Sequence, residues 1–175
     1  INHKSEDDSI EIVNSFRHDP SLKPSLKNYC DVKVINIDNY SPGRAINLGV
    51  KHSSKKYICV LSAHSVIKQI DSKYLLSSLK KYPCVFGKQI PIYRGKKITP
   101  RYIWSHFVDS DKINMYSRLE DRYFLHNAFS FYQKDILINI PFDENLTGKE
   151  DRLWAMALVK EGKSFFYSPK FSVYH

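Results

Sequence analysis

The chain has 175 residues, 42% of them hydrophobic and 26% charged, and carries a formal net charge of +9. That balance describes one globular domain and excludes low-complexity and collagen-like classes, and no apolar run approaches the ~20 residues needed to cross a bilayer. The lysine pairs Lys55-Lys56, Lys80-Lys81 and Lys96-Lys97 supply much of the excess charge, scattered rather than gathered on one helix; this argues against nucleic acid and reads either as a solvated face or as attraction to anions such as nucleotide phosphates, a phosphorylated acceptor or an anionic membrane surface.

In chain order, Ile1 reads as the tail of a strand, so a piece of a longer protein is expected; the opening residues are polar and acidic rather than leader-like. Ser5-Glu6-Asp7-Asp8 ahead of Ile10, Ile12, Val13 and Phe16 predicts a capped amphipathic helix. Val32 to Asp38 alternates with β-branched residues and predicts a strand. Ser41-Pro42-Gly43 is a turn, and residues 44–53 a helix carrying Asn47. Tyr57-Ile58-Cys59-Val60-Leu61 is a continuous apolar run, the mark of a strand buried on both faces. Asp71 opens a second amphipathic helix through Tyr74, Leu75, Leu76 and Leu79, and Pro83 to Gly87 forms a strand. Residues 92–121 weaken into a long, partly helical excursion around Tyr102, Ile103, Trp104 and Phe107. Strand character returns from Tyr123 to Phe131, followed by a short helix at 132–138, a strong helix at 149–161, and terminal strands at 165–167 and 171–174. Strands alternating with helices give an α/β domain with a mainly parallel sheet, whose ligands bind at the carboxyl ends of the strands. Asp38, Ser62, His64 and His175 fall there.

The chemistry lies in a few short segments. Leu61-Ser62-Ala63-His64 ends a buried strand with an imidazole, a good ligand for Mn²⁺ or Zn²⁺ and a poor one for Mg²⁺ or Ca²⁺. His175 follows an aromatic strand; paired in space with His64 it becomes a metal or diphosphate ligand, and alone it is surface decoration. Thr147-Gly148-Lys149-Glu150 has capping-box spacing, which accounts for Glu150 and leaves Asp151 spare to accept a proton from a hydroxyl. Trp154, Ala157 and Leu158 would anchor that helix. Ser5 and Asp7 either cap a helix or bond a ribose or base, and Asn47 either decorates a helix or bonds a ligand. Trp104, Tyr102 and Tyr93 either stack on a sugar or form local core, and His126-Asn127 can donate to a phosphate or an acceptor hydroxyl. Cys30, Cys59 and Cys84 show no Cys-x-x-Cys spacing and read as reduced thiols of a cytoplasmic protein.

Taken together these segments resemble family 2 glycosyltransferases of the GT-A fold, especially bacterial rhamnosyltransferase-like members. The resemblance is carried by Ser5-Glu6-Asp7-Asp8-Ser9, Gly43 to Asn47, Val60 to Ser65, Phe86 to Pro91, His126-Asn127-Ala128, Pro141-Phe142-Asp143-Glu144, Gly148 to Trp154 and Val173-Tyr174-His175, in the right order over nearly the whole chain. It implies a Rossmann-type three-layer sandwich, α/β, with a mostly parallel central sheet lacking its first strand in this chain, as one domain over residues 1–175 that is N-terminally incomplete. It also implies inverting transfer of a sugar from a nucleotide-diphosphate donor to a hydroxyl of a cell-surface polysaccharide or lipid-linked acceptor, at the cytoplasmic face of a membrane. Asp151 would match the general base, beside Glu150. Ser5, Asp7, Asn47, Ser62 and Asn127 would meet the nucleotide sugar, and Trp104, Trp154 and His126 the acceptor. His64 and His175 would hold a divalent metal, Mn²⁺ or Mg²⁺, although Ser62 and His64 stand where the family's metal motif has two aspartates. Those lost carboxylates open an alternative: a catalytically inactive module of the same fold that binds sugar nucleotide or a partner. A nucleotidyltransferase would want a glycine-rich phosphate loop, which the sequence lacks.

Overall fold

The computed structural model describes residues 1–18, 32–97 and 107–175. Along them run α1 (Ser9–His18), α2 (Pro42–His52), β1 (Tyr57–Leu61), β2 (Val66–Gln69), α3 (Ser72–Lys81), β3 (Cys84–Ile90), β4 (Ile92–Tyr93), β5 (Lys96–Lys97), β6 (Lys112–Ile113), β7 (Tyr116–Ser117), β8 (Arg122–Tyr123), β9 (Phe129–Gln133), α4 (Lys134–Asn139), α5 (Glu150–Lys160) and β10 (Phe165–Tyr174). The main sheet has the order β1-β9-β3-β10-β2, with β6 added to β10.

The α/β class holds, and the sheet is mixed rather than mostly parallel. Among the described strands of the sheet, β3 and β10 pair in parallel, while β9 runs against both β1 and β3, and β2 and β6 run against β10. The long excursion between β3 and β9 turns the chain round, so β9 inserts head-to-tail between its neighbours. Alternating helices and strands fix a class, but a strand reached through an excursion is free to run either way. The expected strand at 32–38 reduces, in the described residues, to one parallel bridge: Asn2 N–H donates to Ile35 O at 2.8 Å and Ile37 N–H to Asn2 O at 2.9 Å.

Alternating side chains give the sheet two apolar faces. Phe86, Tyr132, Phe165 and Tyr167 join Trp154 and Leu158 of α5, Ile136 and Leu137 of α4, and Phe142 on one side. Val85, Phe129, Phe131 and Phe166 join Leu75 and Leu79 of α3 on the other. Each such side chain contributes roughly 1.5–3 kcal/mol when fully buried. On β10 a register shift between Ser168 and Ser172 sends Phe171 and Val173 to the second face, although they share parity with Phe165 and Tyr167. The bulge lies against Gly87, where a Cβ would come within 2.6 Å of Phe171 O.

β1 is an edge. Ser62 N–H bonds Ala128 O and Lys134 N–H bonds Lys56 O, so the even-numbered residues face β9. The main chain of Tyr57, Cys59 and Leu61 therefore points the other way. The expectation that this strand is buried on both faces is not met; Cys59 and Leu61 are exposed. The capping box is also revised. Lys149, in the left-handed region at φ 64°, precedes α5 and makes no side-chain cap bond. Buried Glu150 and Asp151 lie beside the free amides of the first turn, a helix end that favours negative charge. The described parts of the 92–121 excursion are short strands.

Candidate functional site

An open cleft of about 800 Å³ runs beside β1, floored by α2 residues such as Ile46 and Val50 and walled by Ile58 and Val60. Its polar end is built from four chain segments: Ser62, Ala63 and His64 after β1; His126 and Asn127 before β9; Glu150 and Asp151 at the start of α5; and His175 beyond β10.

His175 is held by its main chain, which extends the β3–β10 ladder: its N–H donates to Ile90 O and its carbonyl accepts from Ile92 N–H, both at 3.0 Å. His64 stands on an exposed turn closed by Ser65 N–H to Ser62 O at 2.9 Å. The two rings meet with their Nε2 atoms 2.7 Å apart and their centroids at 4.4 Å. The Ser62 hydroxyl lies 3.3 Å from the His64 ring nitrogens. The His126 ring stands edge-on to His175 with centroids 6.1 Å apart. Burial, and then the nearby Arg152 charge, pulls the His126 pKa down to about 4. Burial, and then His64 and His126, does the same to His175, also to about 4.

The carboxylate end is packed. Asp151 is 7% exposed; its Oδ2 accepts from Asn127 N–H at 3.2 Å and its Oδ1 from Arg152 N–H at 2.8 Å. Burial raises its pKa against those bonds. Burial also raises Glu150, with the Asp151 charge adding to it. A raised carboxyl pKa suits a group that must take up a proton near neutral pH. Asn127 accepts from Ser130 Oγ at 2.9 Å and from the Tyr132 hydroxyl, which fixes the segment carrying its N–H.

Several expected site residues lie elsewhere. Asn47 is a joint: its amide donates to Phe142 O at 2.9 Å and Glu144 Oε1 at 3.0 Å and accepts from Phe142 N–H at 3.0 Å, tying α2 to the 141–144 loop. Ser41 caps α2 and donates to Glu144 O at 2.6 Å, and Gly43 leaves no room for a Cβ, which would fall 2.3 Å from Asp143 O. Ser5 and Asp7 are exposed and do not line the cleft; Asp7 Oδ1 accepts from Ser9 N–H at 3.1 Å, a local helix-start bond. Trp154 is 3% exposed, donates from its indole to Ile140 O at 2.7 Å and stacks on Phe142, so it anchors α5 and faces no acceptor. Trp104 lies outside the described residues.

The sequence reading missed one pairing. Arg152, next to Asp151, donates to Glu120 Oε2 at 2.6 Å, and Arg122 Nε donates to the same oxygen at 2.8 Å. Arg152 is buried and Glu120 partly so, and the Arg152 guanidinium sits over Phe124 at 5.4 Å. The signal was faint: an arginine directly after two acids, and an acid within Arg118 to Arg122.

Among the described residues no set of three His, Cys, Asp or Glu side chains converges as a metal site. What faces the cleft is a pair of imidazoles with a neutral hydroxyl, a donor set that fits a borderline divalent ion and not Mg²⁺. Also among the described residues, no helix is long and apolar enough to cross a membrane.

A model of glycosyl transferase family 2 matches residues 1–140. No curated protein matches the chain. Among solved structures, S. aureus TarS 1-349 in complex with UDP-GlcNAc is 17% identical, with a TM-score of 0.66, over 98% of this chain and 47% of that one. The same TarS fragment with UDP gives a TM-score of 0.62, 17% identity, and coverage of 98% and 48%. GalNAc-T7 with UDP, GalNAc and Mn²⁺ gives 0.60 and 14% identity, over 91% of this chain and 35% of that one. The chain therefore has the fold of these proteins and spans about half the length of the TarS fragment.

Proposed function

The chain belongs to glycosyl transferase family 2, and from that premise we propose that it moves a sugar from a nucleotide-diphosphate donor to an acceptor hydroxyl with inversion. One observation supports this most: a buried, proton-seeking carboxylate and a pair of imidazoles line the same open cleft. Neighbours of the same fold were solved with UDP-GlcNAc and with UDP, which supports a nucleotide-linked donor.

In the proposed reaction the acceptor oxygen attacks the sugar's anomeric carbon. As that bond forms, the carbon–oxygen bond to the diphosphate breaks and its electron pair leaves with the diphosphate. Asp151 takes the acceptor proton, and Asn127 and Arg152 N–H hold the carboxylate in place for it. A single displacement inverts the anomeric centre. Glu150, also buried, keeps the charge density at this helix end high and favours proton uptake. His64 and His175 would hold the divalent ion, which when bound neutralises charge on the departing diphosphate. Asn127 and Ser62 would bind the donor and His126 the acceptor; all three line the cleft. The acceptor we favour is a lipid-linked or cell-surface saccharide met at the cytoplasmic face of a membrane, with the +9 charge drawing the chain to anionic lipid.

The test is a donor screen on the full-length protein, following nucleoside diphosphate release and the configuration of the product. Turnover with an inverted product supports the reading; retention of configuration overturns it. A second reading, an inactive sugar-nucleotide-binding module, draws on the absence of carboxylates at Ser62 and His64. Donor binding without turnover for any donor and acceptor would favour it.

A further inference from the structure

We propose that Glu120, on the turn between β7 and β8, is a positioning residue for the proton transfer: it holds the Arg152 guanidinium and cancels its charge, so that Asp151 works beside a matched ion pair and not beside a bare cation. The inference rests on the transfer reading for the task of Asp151; the pairing itself stands on geometry.

Asp151 and Arg152 share the first turn of α5, where Arg152 N–H donates to Asp151 Oδ1 at 2.8 Å. The Arg152 side chain does not line the cleft. It donates from Nη1 to Glu120 Oε2 at 2.6 Å, and little of either side chain reaches solvent, 7% for Arg152 and 9% for Glu120. Glu120 is itself held by a closed turn. Ser117 pairs with Arg122 across the hairpin, Glu120 N–H donates to Ser117 Oγ at 3.2 Å, and the Tyr116 hydroxyl donates to Asp121 Oδ1 at 2.6 Å. Arg122 Nε, on β8, donates to the same Glu120 Oε2 at 2.8 Å. The carboxylate therefore reaches α5 from a preformed hairpin, and it fixes a guanidinium whose own main chain holds Asp151.

An arginine keeps its charge at every working pH. Away from water that charge acts strongly on its neighbours. Arg152 favours the ionised forms of both Asp151 and Glu150, against the burial that raises them. Around Asp151 stand Glu150, Arg152 and exposed Lys149 on or beside its own helix, Glu120 and Arg122 on the hairpin, His126 ahead of β9, Tyr132 on β9, Tyr167 on β10, and His175 at the cleft. Burial keeps Tyr132 and Tyr167 protonated and His126 neutral near pH 7. The buried full charges are those of Glu150, the arginines and Glu120. Of the two glutamates, Glu120 is the one that opposes Arg152 without lining the cleft. Without its charge, Arg152 would hold Asp151 ionised and make it a weaker proton acceptor.

The experiment follows the Asp151 carboxyl directly, by carbon NMR of the full-length protein labelled at aspartate, with Asp151→Asn identifying its signal. Glu120→Gln, which keeps the shape and removes the charge, should move the Asp151 midpoint to lower pH. Arg152→Gln should move it to higher pH, Arg122→Gln should move it the same way by less, and Arg152→Lys should restore the original midpoint. Each of the first two shifts should reach at least about 0.5 of a pH unit, a fraction of the roughly 1–3 units that an adjacent opposite charge is worth. A merely structural loss would move Glu120→Gln and Arg152→Gln in one direction. Thermal melts identify the variants that fold, and Arg122→Gln, at a less buried arginine, keeps the test open if the inner pair tolerates no change. Shifts of one sign for Glu120→Gln and Arg152→Gln, or midpoints that do not move, would overturn the proposal. The acid limb of the turnover profile, read as nucleoside diphosphate release, should follow the same signs. If the midpoints shift as expected and no donor gives turnover, the transfer reading fails and takes the role of Glu120 with it; if turnover is present and the midpoints stay, the role of Glu120 alone fails.

Discussion

The two ends of the cleft are built on opposite plans. At the α5 end, Glu150, Asp151 and Arg152 are all buried, and the carboxylate and guanidinium are both held by fixed partners. At the other end, His64 stands on an exposed turn and touches His175 through a single ring–ring contact. The first end is part of the core, so its geometry is set by packing and its chemistry by desolvation. The second is set by a turn and a strand end, so it can adjust to what it binds. Under the proposed function, the proton acceptor gains from the fixed aim of the first end.

The contrast can be broken in graded ways. The largest effect is expected at the fixed end. Asp151→Asn should cut turnover by roughly 10²–10⁴-fold, the usual worth of a positioned base, with donor affinity unchanged by calorimetry. A parallel loss of donor binding would move Asp151 into the donor site. Next comes its support. Arg152→Ala removes one of the arginines paired with part-buried Glu120, which keeps Arg122, and should cost about 1–3 kcal/mol in urea unfolding, the scale for losing one partner of a buried hydrogen bond. A cost below about 1 kcal/mol would show that Glu120 is held well enough without Arg152.

A smaller effect is expected from pH. The His126 pKa lies at about 4 when folded, against an ordinary value of 6.5. Between those values the unfolded chain binds more protons, so stability is complete above pH 6.5 and falls as pH drops toward 4, by at most about 3 kcal/mol. Buried Glu150 and Asp151, raised above their ordinary values, act in the opposite sense: their share is present at low pH and is lost as pH rises. The check is therefore the difference between the protein and His126→Gln in melts across pH 4–7, which should grow in favour of the protein from the acid end toward neutral by at most about 3 kcal/mol. The smallest effect belongs to the adjustable end. His64→Ala should change stability by no more than about 0.5 kcal/mol, as surface substitutions do, and a larger loss would mean that the turn is part of the core after all.

Much of this site was legible because its parts begin or end elements. An apolar run stopping at Ser62-Ala63-His64, an aromatic strand stopping at His175, and two acids opening a helix are local patterns. The α5 helix, α3 and β1 follow from spacing alone. What was not legible depends on contacts distant in sequence. Asn47 looked like a ligand because nothing nearby reveals Phe142 and Glu144, some 95 positions away. Spacing marks Trp154 as an anchor of α5, as found, and only the resemblance gave it an acceptor role. Lys149 replaced Thr147 as the residue before α5 because a left-handed backbone at a non-glycine position has no sequence signature. Strand direction escaped for a similar reason, since β9 reaches its place through an excursion whose path no local rule fixes.

One irregularity governs where the terminal imidazole lands. Ser168 pairs with Gly87 and Ser172 with Lys88, so Pro169, Lys170 and Phe171 have no counterpart on β3. A one-residue slip of β10 beyond this point would move His175 by about 3.3 Å and turn its ring to the opposite side of the sheet. The address of that nitrogen is thus written in three upstream residues that never touch the ligand, and a length change there would relocate it with every side chain of the cleft intact.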